Sequence, residues 1–306
     1  MVKADAALVE LLHFLRLYEY RFTTVTPTTH SRVLARGEVS DTGLRDIFGW
    51  NRPFSSDQIE PVLLGLLGRA GAISTGENDK FISRVRVASL GDDLLVHSGF
   101  PTNDRDAVFF GPDSYRFVNF VKREVPSLSN VRSIVDMGAG NGAGGIAVAR
   151  LLDGARITLV DVNAVALAMA ATNAAAAGVD ANLLEADCIP DNVDLVMANP
   201  PYIVDDKRRQ YRHGGEMFGG AVALGWVRQA LEKLSPAGVM LLYTGVAFVD
   251  GRSPLLAEIA QECRAARADV TLTELDPDVF GEELTKEPYR EVERIAAFGI
   301  KIIRSA

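Results

Sequence analysis

Two short stretches hold residues whose types and spacing can do chemistry. Residues 136–142 read Asp-Met-Gly-Ala-Gly-Asn-Gly, and residues 199–202 read Asn-Pro-Pro-Tyr. In the first, glycines at alternate positions let the backbone turn sharply and approach a ligand closely. The spacing is G-x-G-x-G, not the G-x-G-x-x-G that seats a pyrophosphate on a helix N-terminus. Asp136, two residues before the first glycine, would repel a phosphate and attract a cationic or amino group. Asp161 can accept from both hydroxyls of an unphosphorylated ribose, and Asp187 from an adenine amino group. Together these acids ask for an adenosine with an amino-acid-like tail and no phosphate, and S-adenosylmethionine fits that description.

The second stretch suits a group-transfer acceptor. Two prolines fix φ and remove two donors, so the loop is stiff and its carbonyls face outward. The Asn199 side chain and the Pro200 carbonyl can accept the two N–H hydrogens of a planar nitrogen, while Pro201 and the Tyr202 ring offer surfaces for stacking. Such a nitrogen, conjugated to a carbonyl or an aromatic ring, is a poor nucleophile. Holding its lone pair in line with a methyl donor is the main contribution a protein can make. No His or Glu adjoins the motif to act as a base.

The elements that must position these residues follow from hydrophobic patterning. Strands are predicted at 133–137, 156–161, 183–185, 193–198, 239–243, 270–275 and 294–303, and helices at 163–177, 221–234 and 254–267. Strands alternating with helices imply a parallel sheet covered on both faces. The last two strands lack a crossover helix and are expected to form an antiparallel edge hairpin. The acids and the Asn-Pro-Pro-Tyr loop then stand at strand C-termini, where open α/β sheets bind ligands.

The chain has 306 residues, enough for two domains. Residues 1–107 are expected to form a smaller α+β domain, a winged-helix-like module or an irregular cap, and residues 108–306 the cofactor-binding domain. Helices are predicted at 4–19 and 55–69, the second opening on a Ser55/Gln58 capping box, with strands at 81–90 and 94–98. Residues 1–110 hold 12 basic and 14 acidic side chains, which favours a substrate-selecting cap over a DNA reader. A net charge of −8 excludes a globally basic nucleic-acid binder. Two distant cysteines and four scattered histidines offer no metal-ligand spacing, so no metal is expected. No signal-like or membrane-spanning run is evident, which points to a cytoplasmic protein. Trp226 and Phe248 are read as core, and His97 as structural.

These residues resemble the class I S-adenosylmethionine-dependent methyltransferases over about 108–306. The resemblance implies a Rossmann-like seven-stranded methyltransferase sheet with its last strand antiparallel. It implies that Gly138, Ala139, Gly140 and Gly142 line the methionine part with Asp136, that Asp161 and Val162 take the ribose, and that Asp187 and Cys188 border the adenine. Asn199-Pro200-Pro201-Tyr202 resembles the N-P-P-Y signature of enzymes acting on planar amino nitrogens. The nearest likeness is to the release-factor glutamine N5-methyltransferases, which also have a glycine pair, here Gly219-Gly220, before the next helix. That group has a P-R-P-E-T-like stretch ahead of the first strand. This chain has Phe109-Phe110-Gly111-Pro112-Asp113-Ser114-Tyr115 instead, read as a lid with Pro112 and Tyr115 as candidates.

The favoured acceptor is a protein glutamine of release-factor type. An rRNA or tRNA base amino group is the alternative, and DNA is less favoured. Residues 205–213 carry Lys207, Arg208, Arg209 and Arg212 around Tyr211, and Arg208, Arg209 and Tyr211 are candidate substrate contacts. A regulator that binds the cofactor or a nucleic acid without chemistry is the non-enzyme alternative, and an intact Asn-Pro-Pro-Tyr argues against it. The oligomeric state is not legible in the sequence.

Overall fold

The computed structural model describes residues 2–37, 42–152 and 154–305. Helices α1 (Ala6–Leu17), α2 (Pro27–Leu34), α3 (Leu44–Phe48) and α4 (Pro61–Arg69) come first. Two ribbons follow, β1 (Ile73–Thr75) with β2 (Phe81–Ser83), and β3 (Val85–Leu90) with β4 (Asp93–Ser98). The sheet domain then runs α5 (Pro112–Glu124), β5 (Ser133–Met137), α6 (Ala143–Ala149), β6 (Arg156–Asp161), α7 (Ala164–Ala177), β7 (Asn182–Glu185) and β8 (Val193–Ala198). It ends with α8 (Ala221–Lys233), β9 (Leu234–Phe248), α9 (Pro254–Ala265), β10 (Asp269–Asp276) and β11 (Arg294–Ile303).

The seven large strands lie in the order β7-β6-β5-β8-β9-β11-β10. The first five are mutually parallel, and β11 is antiparallel to both its neighbours. The expected antiparallel hairpin therefore exists at the edge of the sheet, with β10 outermost. β11 slots between β9 and β10, because its buried apolar run (Ile295, Ala296, Ala297, Phe298, Ile300, Ile302) needs cover on both faces. Alternate residues of each strand feed opposite layers. Ile134, Leu159, Leu195 and Leu241 pack under α5, α6 and α7. Val135, Val160, Val196 and Met240 pack under α8 and α9.

Local signals set the helix ends. Asn163 caps α7 by accepting from Val165 N at 2.9 Å, and Gly178 ends it in the left-handed region. The helix expected over 55–69 is split. Ser55 and Gln58 cap only one 3-10 turn, Ser56–Gln58, and the helix restarts at Pro61 because the residue before a proline is driven out of the helical region. The strand expected over 81–90 breaks at Arg84, since β2 and β3 pair with different partners.

The N-terminal segment has its own apolar core, centred on Leu11, Leu12, Leu63, Leu67 and Val96, and is also stitched onto α7. Buried Asn173 is the chief stitch. Its Oδ1 accepts from Val96 N at 2.8 Å, and its Nδ2 donates to Val96 O at 3.1 Å and Asn141 O at 2.9 Å. Asn141, inside the glycine turn, donates to the same Val96 carbonyl at 3.2 Å. Among the described residues no helix is long and apolar enough to cross a membrane.

Removing the Asn173 amide leaves buried backbone groups unpaired, each at a cost of about 1–3 kcal/mol. Asn173→Ala is expected to lower unfolding free energy by about 3 kcal/mol in urea melts. A loss below about 0.5 kcal/mol would show that the stitch is dispensable.

Candidate active site

A cleft of about 330 Å³ opens at the C-terminal ends of β5, β6, β7 and β8, where the strand order reverses. The glycine turn forms its floor. Gly138, Gly140 and Gly142 all have positive φ, but for different reasons. A methyl group at Gly138 would meet the Trp226 ring at 2.5 Å, and one at Gly142 would meet Ala170 at 3.2 Å. Only at Gly140 would it enter open space, so Gly140 is the glycine that leaves room for a ligand.

Asp161 ends β6 at the cleft edge. Its Oδ2 accepts from Gly140 N and its Oδ1 from Asn163 N, each at 2.9 Å, which fixes the carboxylate against the turn. Each oxygen keeps a free lone pair for a hydroxyl. Burial pushes Asp161 above the usual carboxylate range. Asp136 is 2 % exposed and accepts from Gly145 N at 2.8 Å, at the start of α6. Burial pushes it up to about 7, with Asp161 nearby adding to the effect and the Gly145 N–H opposing it. Asp187 also lines the cleft. Among the described residues lining it there is no lysine or arginine. Such a cleft rejects phosphate and suits a cationic, hydroxyl-bearing ligand, so the residues fit S-adenosylmethionine.

Ala139 and Val162 also line the cleft, but Cys188 does not. The thiol is exposed, because the chain bends after β7 and carries it outside the cleft. Trp226, expected in the core, is half-buried and forms a cleft wall over Gly138. A tryptophan at helical spacing carries the same pattern as a packed core residue, so its role as a cleft wall is not encoded locally.

A second cavity, of about 550 Å³, lies beyond the Asn-Pro-Pro-Tyr bend. Phe109, Ser114, Asn199, Pro201 and Tyr211 line both spaces and form the seam between them. The bend is seated on three glycines. A methyl at Gly245 would lie 2.2 Å from the Tyr202 ring, at Gly219 2.3 Å from the Tyr202 carbonyl, and at Gly214 2.6 Å from the Pro201 carbonyl. Val204 N donates to Tyr289 Oη at 2.7 Å, tying the bend to the β10–β11 connection. Among the described residues nothing hydrogen-bonds the Asn199 side chain or the Pro200 carbonyl.

The lid is built differently from expectation. Pro112 lines the second cavity, but Tyr115 turns away to accept from Thr24 N at 3.1 Å. The covering pair is Phe109 stacked on Tyr211, with centroids 5.6 Å apart and planes at 9°. Tyr211 Oη donates to Thr102 O at 2.8 Å, which latches the pair to the N-terminal segment.

The cations of 207–212 divide. Arg209 lines the second cavity and grips Asp205 through Nε at 3.0 Å, and Arg212 pairs with Glu283. Burial opposes the Asp205 charge, but the hydrogen bonds from Arg209 and the charge of Arg212 hold it down at about 2. Arg208 is exposed and lies outside both cavities, because a left-handed turn at that residue (φ 47°) directs the chain outward.

Asp136 makes stability pH-dependent. Its folded value of about 7 lies above the unfolded value of about 3.9, so the native state holds a proton that the unfolded chain has lost. Between about pH 4 and 7 the wild type is expected to lose stability relative to Asp136→Asn, at up to about 1.4 kcal/mol per pH unit. Urea melts at pH 5 and 7 check this, and parallel curves would contradict it.

Residues 119–266 match the Methyltransferase small domain family. A release factor glutamine methyltransferase of Deinococcus radiodurans is 27 % identical over 195 residues, covering 60 % of this chain and 66 % of the relative. One of Cereibacter sphaeroides is 32 % identical over 163 residues, covering 47 % and 56 %. The ribosomal RNA large subunit methyltransferase G of Vibrio vulnificus is 28 % identical over 135 residues, covering 38 % and 36 %. The chain thus spans less than two thirds of the length of these relatives. Among solved structures, Trm5b of Pyrococcus abyssi superposes with a TM-score of 0.52 at 15 % identity, over 76 % of this chain and 62 % of that one, a likeness of fold. Residues 119–266 are thus similar to the Methyltransferase small domain family, and they lie on a Rossmann-like seven-stranded sheet.

Proposed function

We propose that this protein methylates a planar nitrogen from S-adenosylmethionine, and that its acceptor is a glutamine side-chain amide of a protein of release-factor type. One observation carries the reading. Asn199, which borders both cavities, and Pro200, which lines the second, leave two acceptors side by side in the chain, the Asn199 side chain and the Pro200 carbonyl, without hydrogen-bond partners among the described residues.

The cofactor, when bound, supplies an electrophilic methyl group on a sulfonium sulfur. Asp161 holds the ribose hydroxyls, Asp136 the amino tail, and Val162 and Asp187 border the base. Asn199 and Pro200 take the two N–H groups of the acceptor, which leaves its lone pair facing the cleft. Positioning of this kind is worth several kcal/mol of barrier. Phe109 and Tyr211 shut water out of the seam.

The names of the relatives support both a protein and an RNA acceptor. Charge favours the protein. Arg209 and Arg212 are consumed by Asp205 and Glu283, leaving Lys207 and Arg208 as the exposed cations of that loop, a weak grip for a phosphate backbone. An RNA amino group is the second reading, supported by the Tyr211 ring at the seam, on which a base can stack. The N-terminal segment, residues 1–107, acts as the substrate-selecting part, since Thr26, Pro27 and Phe100 to Asn103 wall the acceptor cavity. A cytoplasmic setting goes with either acceptor.

Asn199→Ala is expected to abolish transfer while leaving cofactor affinity within about threefold, since the amide faces the acceptor. The assay is tritiated cofactor with recombinant release factor and, separately, total RNA. Label in N5-methylglutamine supports the favoured acceptor, label in RNA the second, and full turnover by the variant would remove Asn199 from the scheme. Asp161→Ala is expected to weaken cofactor binding by about 100-fold, the worth of a charged hydrogen-bond pair. An unchanged calorimetric Kd would refute the ribose assignment.

A further inference from the structure

The scheme above leaves one proton without a destination. A planar nitrogen that gains a methyl group becomes cationic and must shed an N–H proton, and Asn199 and Pro200 cannot take it. We infer that Asp113, on the first turn of α5, is the proton acceptor and counter-charge for the acceptor nitrogen. This rests on the reading of a nitrogen acceptor.

Asp113 lines the acceptor cavity, yet it is only 7 % exposed. Its Oδ1 is held from two sides, by Tyr243 Oη donating at 2.6 Å and Arg116 Nη1 at 3.3 Å. Arg116 is shared with Asp276 at 2.8 Å, so the three side chains carry one net negative charge. Among the described residues nothing donates to Asp113 Oδ2 within ordinary hydrogen-bond geometry, and the unpartnered Tyr202 hydroxyl stands near the carboxylate. One oxygen oriented by fixed donors and the other open is the arrangement a positioned base requires.

The other groups around the cavity do not serve. Glu283 is occupied by Arg212 and Lys286. Asp278 and Glu282 are exposed at the rim. Burial pushes the phenols of Tyr202 and Tyr211 above their ordinary range, so neither ionises to accept a proton. The three arginines are already protonated.

The step balances. The acceptor nitrogen gains a bond to the methyl carbon as the carbon–sulfur bond breaks, and the donor is left as a neutral thioether. Methylation makes the nitrogen tetrahedral, so one N–H swings from its first acceptor to Asp113 Oδ2, which takes that proton and leaves a neutral secondary amide. The protonated carboxyl then passes its proton to solvent. Positive charge thus moves from a cleft lined by Asp136, Asp161 and Asp187 towards a second carboxylate, so neither side is left uncompensated.

The test uses the full chain and two readouts. Acetamidinium, a planar cation with paired N–H groups, stands for the protonated acceptor. It is expected to bind the wild type and to bind Asp113→Asn at least tenfold more weakly by calorimetry, with cofactor Kd within twofold in both. Equal binding to the two proteins, or none to the wild type, would overturn the inference whatever the natural acceptor proves to be. In single-turnover transfer to release factor, Asp113→Asn is expected to be about 100-fold slower. Asp113→Glu should recover part of that loss, and a wild-type rate in Asp113→Asn would also overturn the inference. If Asp113→Asn does not fold, Tyr243→Phe takes its place: it removes only the orienting hydroxyl and should lower kcat about tenfold with KM little changed. An unchanged kcat in that variant counts against the base. A wild type that leaves release-factor glutamine unlabelled while still binding acetamidinium through Asp113 overturns the glutamine reading and leaves the base in place.

Discussion

The Tyr202 ring lies against the β9 backbone with no room between them for a single methyl group. That contact sets where the Asn-Pro-Pro-Tyr bend can sit. Proline rings stiffen the bend internally, but stiffness alone does not aim it. The aim comes from bare backbone at Gly214, Gly219 and Gly245, which lets the bend sink until Asn199 borders both cavities. Strand β9 is itself held on one side by β8 and on the other by β11, so the seat inherits the rigidity of the sheet centre. Placing the reacting group on such an element limits the freedom that would otherwise be lost in the transition state.

Electrostatics divides the work across that seam. The cofactor cleft concentrates carboxylates and holds no lysine or arginine among the described residues, at the cost of desolvating Asp136 and Asp161. Such a cost is retained where a cationic ligand repays it, and perturbed carboxylates in a cleft are a mark of function. On the other side, arginines are present but paired. Arg116 is shared between Asp113 and Asp276, and Arg212 between Asp205 and Glu283. These pairs brace the walls of the acceptor cavity and leave little free positive charge within it.

The N-terminal segment takes part in both halves. Val96 of β4 holds Asn141 of the glycine turn and Asn173 of α7, so the floor of the cofactor cleft is partly suspended from it. Thr102 holds Tyr211, so the cover of the seam is latched to it as well. A segment tied to the floor and to the cover links the two cavities mechanically.

Much of this was legible from residue order alone. Strand and helix patterns, the left-handed glycine turn, the acids at strand ends and the double-proline bend are local signals, because each depends on side-chain periodicity or on allowed φ within a few residues. What the order could not reveal depends on distance across the sheet. Asp113 meets Tyr243 over 130 positions, Trp226 reaches back over Gly138, Arg209 turns inward to Asp205 while Arg208 turns out, and Cys188 leaves the cleft its neighbour Asp187 lines. β11 likewise takes the place between β9 and β10, which pairing across the sheet decides. The sequence determined which groups are available and which backbone they stand on. The tertiary structure decided which of them meet and which charges cancel, because pairing and burial are properties of neighbours in space.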